Sequence, residues 1–182
     1  MNKIVRMIVV LGVIGLISGG TLALVYQWAL PKIIENQIRE TKAAIFKVLP
    51  ETRSYKKVVK DELTYFECFD DRGERAGTAI LCKGNGYQGE IKLMVGVNAD
   101  FTKFTGLTIL EQVETPGLGA KIAERKFFKQ FKDLATKPPI AYVKGRPPEK
   151  PNQIQAITGA TISSRAVVNI INKTVKEWLE IQ

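Results

Sequence analysis

The chain of 182 residues contains no histidine and only two cysteines. Without histidine it cannot build a Ser-His-Asp or Cys-His catalytic site, and it lacks the commonest side-chain ligand of transition metals. Two cysteines are too few to hold a zinc ion or an iron–sulfur cluster by themselves. We therefore expect no metal site and no catalytic side chains, and we expect the chemistry of this protein to come from something that it binds.

Charged side chains are absent from Met7 to Pro31, although 25% of the chain is charged. This run exceeds the ~20 apolar residues that cross a bilayer, and a cleaved signal peptide has a shorter core of ~7–15 residues. Lys3 and Arg6 precede it, and basic flanks stay cytoplasmic. Residues 1–31 are thus predicted to be a cytoplasmic N-terminus and a single-pass anchor in the cell (inner) membrane, with the C-terminal domain outside the cytoplasm.

The rest of the chain divides into a connecting segment and a domain. Residues 32–62 are predicted to form a juxtamembrane helix and a linker, and residues 63–182 the domain. The expected strands are Leu63–Phe69, Gly77–Lys83, Glu90–Val97 and Phe104–Leu110, and the expected helices are Ala120–Phe131 and Ser164–Glu180, with irregular chain at Thr136–Asn152. Strands followed by helices predict an α+β fold, with an antiparallel-rich sheet and packed helices.

The two cysteines lie on the two strands of one predicted hairpin. A turn at Asp71–Gly73 places Cys68 opposite Ala76, so Cys82 lies about 20 Å further along the strand. A disulfide tolerates a Cα separation below ~7 Å. We therefore predict two buried free thiols.

"TGATISS" places four hydroxyl side chains at the start of the last predicted helix. Ser163 or Ser164 can cap this helix, because a hydroxyl oxygen accepts an unpaired backbone N–H. The helix start also suits a phosphate, which Thr161 would face. An ordinary helix cap with a tight turn explains the pattern equally. The segment comprises Thr158, Gly159, Ala160, Thr161, Ile162, Ser163 and Ser164.

"ETPGLGAKI" follows the last predicted strand. Pro116 and Gly117 suit the central positions of a type II turn, where glycine supplies a positive φ. A simple strand–turn–helix connection explains the pattern as well as a binding loop does. The segment comprises Glu114, Thr115, Pro116, Gly117, Leu118 and Gly119, with Lys121 two positions later.

Together the two motifs closely resemble those of the FMN-binding domain family, which includes the G subunit of Rnf complexes and the C subunit of sodium-pumping NADH:quinone reductases. "GYQGEIKLMVGV", from Gly86 to Val97, is similar to the Gly-Tyr-Gly-Gly strand entry of that family. The single anchor also matches, and the short chain is closer to the Rnf G subunit. The resemblance covers essentially the whole chain.

This resemblance implies a flavoprotein that carries electrons. The family's attachment threonine corresponds to Thr161, which would hold FMN covalently through a phosphoester installed by a separate flavin transferase. The segments 114–119 and 158–164, with Lys121, would lie near the flavin. The chain would be one subunit of a membrane complex that couples ferredoxin and NAD to ion transport. Its partners would be the other membrane subunits and the lipid bilayer, and not nucleic acid.

Two positions depart from the family pattern. Gln155 stands where an aspartate is frequent, and Gln112 stands where a histidine is frequent. Gln155 bears on recognition by the transferase. Within the family, a quinone-reductase C subunit or a free-standing membrane flavoprotein remains an alternative. The alternative from another class is a tethered binding or assembly module without a cofactor, in which residues 158–164 serve only as a helix cap.

Overall fold

Five antiparallel strands form the main sheet of the protein in the computed structural model, which describes residues 2–181. The elements are α1 (Lys3–Val48), β1 (Ser54–Lys60), β2 (Leu63–Phe69), β3 (Arg75–Asn85), β4 (Glu90–Asn98), β5 (Phe104–Glu111), α2 (Arg125–Phe128), β6 (Ala141–Val143), β7 (Gln153–Gln155) and α3 (Thr161–Glu180). The sheet order is β1-β2-β3-β4-β5, and β6 pairs with β7 in parallel. The chain divides into two units, one up to Glu40 and one from Thr41 onward.

Helix α1 runs for 46 residues and continues through Pro31. The sequence predicted an anchor up to Pro31 and then a juxtamembrane helix, and one continuous helix contains both. A proline inside a helix removes one backbone hydrogen bond, and the helix nevertheless remains continuous at Pro31. In the unit up to Glu40 the large apolar side chains are exposed, and the helix is long and apolar enough to cross a membrane.

The predicted strands are confirmed, and a further strand was missed. Strands β2 and β3 form the expected hairpin, and β4 pairs with β5 as an antiparallel neighbour. Strand β1 lies where the sequence predicted a linker. Its sequence, SYKKVVK, is mostly exposed and rich in lysine, as is usual for an edge strand that has one neighbour.

Apolar side chains pack on both faces of the sheet, because neighbouring residues of a strand point to opposite sides. On one face Ile80 joins the large cluster that includes Trp178 of α3. On the other face Ala79 packs in a cluster with Ile45 and Val48 from the end of α1. The α+β prediction is confirmed, with helices covering both faces of an antiparallel sheet.

The predicted helix Ala120–Phe131 is wrong as a single helix. Its place is taken by a 3₁₀ turn at Gly119–Ala123, by α2, and by a second 3₁₀ turn at Lys129–Phe131. The break falls at Glu124, whose backbone is extended with φ −78° and ψ 144°. The broken path still buries the apolar side chains of Ile122, Phe127 and Phe131.

Two further predictions concern the segment Thr136–Asn152 and the two cysteines. The segment Thr136–Asn152, predicted to be irregular, contains the short strand β6. Both cysteines are buried and free, as predicted. Cys68 pairs with Gly77 across the hairpin, while Cys82 pairs with Leu93 of β4, so the two thiols lie at separate positions of the sheet.

Candidate functional site

Three turns that are distant in sequence meet beside the start of α3. The first is residues 86–89, which connect β3 to β4. Within this turn Gly86 N donates a hydrogen bond to the carbonyl of Gly89 at 2.7 Å. The second is residues 114–119 and the third is residues 158–164. The three segments quoted from the sequence therefore belong to one site, which connects the sheet to α3.

Glu114 lies at the centre of this meeting point and is 4% exposed. Its Oε1 accepts backbone hydrogen bonds from Tyr87 N at 2.7 Å and Gln88 N at 3.1 Å. Its Oε2 accepts a hydrogen bond from the hydroxyl of Ser163 at 2.5 Å. The side-chain oxygen of Gln112 accepts the backbone N–H of Glu114 at 2.7 Å and fixes the approach to this position.

The Pro-Gly turn predicted within residues 114–119 is present. Leu118 N donates to the carbonyl of Thr115 at 3.1 Å, and Gly117 has φ +74°. A positive φ at this third turn position agrees with the type II geometry expected for Pro116 followed by glycine. A Cβ on Gly117 would meet nothing within 4 Å, so the backbone conformation alone favours glycine there.

Gly119 is required for a different reason, which is space. A Cβ at this position would lie 2.6 Å from Glu114 Oε2 and 2.7 Å from Ser163 Oγ. Both separations are shorter than real Cβ contacts, so any side chain at Gly119 would displace the Glu114–Ser163 hydrogen bond. The glycine therefore serves the contact between two of the three turns.

The predicted capping role of Ser163 or Ser164 is wrong, because α3 begins at Thr161 and neither serine precedes it. The N-cap residue is Ala160, and no side chain caps the helix. The Ser163 hydroxyl bonds Glu114 instead. The Ser164 hydroxyl accepts Ile157 N at 3.0 Å and donates to the carbonyl of Ala160 at 3.0 Å. Both serines are buried and fasten the helix start to neighbouring chain.

The two threonines of the segment 158–164 are more accessible than its serines. Thr158 and Gly159 are exposed, and Thr161 is half-buried as the first residue of α3. Ile162 is 47% exposed and Leu118 is 48% exposed, so apolar side chains flank the helix start. A hydroxyl, uncapped backbone N–H groups and exposed apolar surface therefore coincide at Thr161.

Lys121 is half-buried and lines a cleft of 320 Å³ next to the same segment. Thr158 and Gln155 line this cleft as well, and the lysine supplies positive charge close to the helix start. On another side of α3 a groove of 420 Å³ is bordered by Ile162 and Arg165. Basic side chains thus stand in both concave surfaces that border the segment.

Sequence reasoning missed Gln130, which holds the backbone of Gln155. Its side-chain oxygen accepts Gln155 N at 2.8 Å, and its amide donates to the carbonyl of Gln155 at 3.3 Å. Gln155 therefore has a fixed backbone three residues before Thr158. Nothing in the sequence marks Gln130, because one glutamine among many surface polar residues carries no pattern.

A family model for the FMN-binding domain matches residues 86–176, which contain all three turns. The chain is also 32% identical over 182 residues to the G subunit of the ion-translocating oxidoreductase complex of Methanosarcina acetivorans, an alignment that covers 96% of this chain and 94% of that protein. The chain belongs to the FMN-binding domain family, and the resemblance read from its motifs is confirmed.

Two further comparisons concern the sequence of the domain and its fold. The chain is 43% identical over 94 residues to the G subunit of the Na(+)-translocating ferredoxin:NAD(+) oxidoreductase complex of Acetobacterium woodii, covering 52% of this chain and 44% of that protein. Its fold is similar to that of the C subunit of the Na(+)-translocating NADH-quinone reductase from Parabacteroides distasonis, with a TM-score of 0.66 at 18% identity over 81% of this chain and 94% of that one.

Proposed function

We propose that the chain is a membrane-anchored electron carrier, the G-type subunit of an ion-translocating ferredoxin:NAD oxidoreductase complex, with FMN joined to Thr161 by a phosphoester. The observation that carries the attachment is the difference between the hydroxyls of residues 158–164. Ser163 and Ser164 are buried and hydrogen-bonded within the domain. Thr161 is half-buried at the uncapped start of α3, where an incoming phosphate can reach it.

The residues at this helix start fit a phosphate group. The first backbone N–H groups of an α-helix have no partner within the helix, and no side chain caps α3. These free N–H groups and the helix dipole both favour an anion at the start of α3. Gly159 and Ala160 bring little bulk next to Thr161, and Lys121 adds positive charge at the neighbouring cleft.

Bound flavin supplies one- and two-electron redox chemistry that no side chain of this protein offers. The protein's own contribution is to hold the phosphate end at Thr161 and to leave apolar surface beside it. Leu118 and Ile162 are each about half exposed next to the helix start, and they offer contact to an aromatic ring. Covalent attachment suits such an open surface, because a ring with few contacts would dissociate if only non-covalent forces held it.

The assignment to a complex follows from the relatives. The proteins that this chain resembles are subunits of ion-translocating oxidoreductase complexes, and the chain has an N-terminal helix able to cross a membrane. Lys3 and Arg6 favour a cytoplasmic N-terminus, with the FMN-binding domain on the opposite side of the membrane. We propose that residues 1–31 anchor the chain, that residues 32–62 connect anchor and domain, and that a flavin transferase loads the domain.

The experiment is expression of the full chain in membranes with and without a flavin transferase. A fluorescent band on a denaturing gel and an added FMN mass, both dependent on the transferase, are expected. Flavin that is released on denaturation would contradict the covalent link. A chain that binds no flavin at all would support the cofactor-free binding module instead. Purification of the tagged chain from its native membranes should also bring down other membrane subunits.

A further inference from the structure

We propose that Glu114 is a positioning residue, an internal anion that fastens the start of α3 to the turn 86–89, and that it does not contact the flavin. This inference rests on the proposed function for its link to Thr161, while its structural part stands on the contacts around the carboxylate. It changes the role that the sequence assigned to Glu114, from a cofactor contact to a support for the attachment residue.

Burial and contacts within the domain leave the carboxylate little access to a ligand. An ionised carboxylate only accepts hydrogen bonds, and both oxygens of Glu114 already do so. Oε1 accepts from Tyr87 N and Gln88 N, and Oε2 accepts from Ser163. The residue is 4% exposed. A ligand could therefore contact the carboxylate only by entering this nearly closed space.

The surrounding backbone is shaped to this carboxylate. A Cβ on Gly119 would lie 2.6 Å from its Oε2, and a Cβ on Gly86 would collide with its Oε1. The two glycines come from different turns, one before β4 and one after β5. Their missing side chains create the space that the carboxylate fills, so the backbone on both sides accommodates this side chain.

Hydrogen-bond donors alone satisfy this anion. Among residues 2–181, no lysine or arginine nitrogen lies within ion-pair distance of Glu114. If the carboxylate is removed, two backbone N–H groups and one hydroxyl lose their acceptor in a nearly closed space. Buried donors without an acceptor lower the stability of the folded domain. A small carboxylate from solution has the shape and charge to take its place.

The link to Thr161 runs through Ser163. Ser163 lies two residues after Thr161 in the first turn of α3, and its hydrogen bond to Glu114 joins residues that are 49 positions apart. The helix has no side-chain cap, and besides this contact the Ser164 hydroxyl also holds the helix start through Ile157 N and the Ala160 carbonyl. Glu114 is therefore the contact that ties the first turn of α3 to the turn 86–89, and through it to the direction of the Thr161 hydroxyl.

The test compares wild type, Glu114→Ala and Glu111→Ala as full chains in nanodiscs. Glu111 is a matched control, because its exposed carboxylate pairs with Lys92 at the end of β5, three residues before Glu114. Two readouts are taken: amide exchange of peptides covering residues 86–88 and 161–165, and the rate at which a flavin transferase loads Thr161. Each is measured with added acetate, and with acetamide as the uncharged control.

We expect Glu114→Ala to speed exchange in both peptides and to slow flavin attachment about tenfold, with acetate restoring both and acetamide restoring neither. Glu111→Ala should behave as wild type. If amide exchange in Glu114→Ala were as slow as in wild type, the proposal would be overturned. Loss of flavin attachment in that same variant would then mean that Glu114 acts by direct contact. Accelerated exchange that acetate leaves unchanged would also overturn it.

Failure of the proposed function has a different signature. If the wild-type chain takes up no flavin while the exchange pattern and its rescue by acetate appear as expected, the positioning role stands and the flavin assignment falls. Should Glu114→Ala not fold, Glu114→Gln and Ser163→Ala replace it in the exchange measurement. Both should speed exchange at residues 161–165, and wild-type exchange in both would overturn the proposal.

Discussion

Leu118 packs over Gly159: a Cβ on Gly159 would lie 3.3 Å from Leu118 Cδ2. This close approach joins the turn at 114–119 to the turn at 158–164, independently of the contact between Glu114 and Ser163. Gly159 also has φ +81°, a conformation that L-residues with a side chain rarely adopt. Glycine is therefore favoured at position 159 for two reasons, its left-handed backbone conformation and the limited space beside Leu118.

Gly159→Ala should destabilise the domain by about 1–2 kcal/mol, mostly through the left-handed backbone. Adding Leu118→Ala to Gly159→Ala removes the close contact with Leu118. The double variant should therefore recover only the smaller part of the lost stability. Denaturant unfolding of the two single variants and the double variant gives both contributions. Full recovery in the double variant would mean that packing alone selects glycine at this position.

Gly117→Val should cost on the order of 1 kcal/mol or more, since it forces a β-branched residue to a positive φ. It should also change the absorbance of bound flavin, because Gly117 belongs to the turn that we place beside the cofactor. Gly145 is the control, with φ +65° and no atom near its Cβ position, outside the three turns. Gly145→Val should lower stability similarly and leave the spectrum unchanged. Equal spectra in both variants would remove the 114–119 turn from the flavin's surroundings.

Cys82 should resist alkylation in the folded protein. Burial raises the pKa of its thiol from 9.0 to about 12, against a smaller lowering by a hydrogen bond with Thr174. Above pH 9 the unfolded chain releases this proton while the folded chain keeps it, so this thiol lowers stability as pH rises from about 9 towards 12. Iodoacetamide at pH 8 should leave Cys82 unmodified until denaturant is added. Rapid labelling of the native protein would contradict its burial.

The anchor prediction is tested on intact cells. Residues after about Lys32 should be cleaved by protease added outside, because Lys3 and Arg6 before the apolar run favour a cytoplasmic N-terminus. Inverted membrane vesicles are the control and should protect the FMN-binding domain. The reverse pattern, protection in cells and cleavage in inverted vesicles, would place the domain in the cytoplasm.

The sequence predicted the elements whose pattern is local. The four strands from Leu63 to Leu110 alternate or run apolar between turn residues, and each is present. Strand β1 was missed because its lysine-rich edge carries no alternation of buried and exposed residues. The predicted helix before Phe131 is broken at Glu124, where burial of separate aromatic residues outweighs the helical spacing.

The motifs indicate separate segments of the candidate site, and they do not indicate how these segments contact one another. The motifs named segments that lie together in the fold, and the turn at Pro116 and Gly117 follows from local chemistry. The sequence could not show that Ser163 bonds Glu114, because the two residues are 49 positions apart and meet only in the folded chain. For the same reason Ser163 and Ser164 were expected to cap α3, whereas each is bonded to chain outside the first turn of the helix.

The central claim is that Thr161 carries the flavin, and intact-mass spectrometry with peptide mapping tests it most directly. Wild type, Thr161→Ala and Thr158→Ala would each be produced with a flavin transferase. Thr158 is the matched control, because it is an exposed threonine in the same segment. We expect one FMN mass that survives denaturation in wild type and Thr158→Ala, mapped to Thr161, and none in a folded, membrane-inserted Thr161→Ala. A covalent FMN retained by Thr161→Ala would contradict the account.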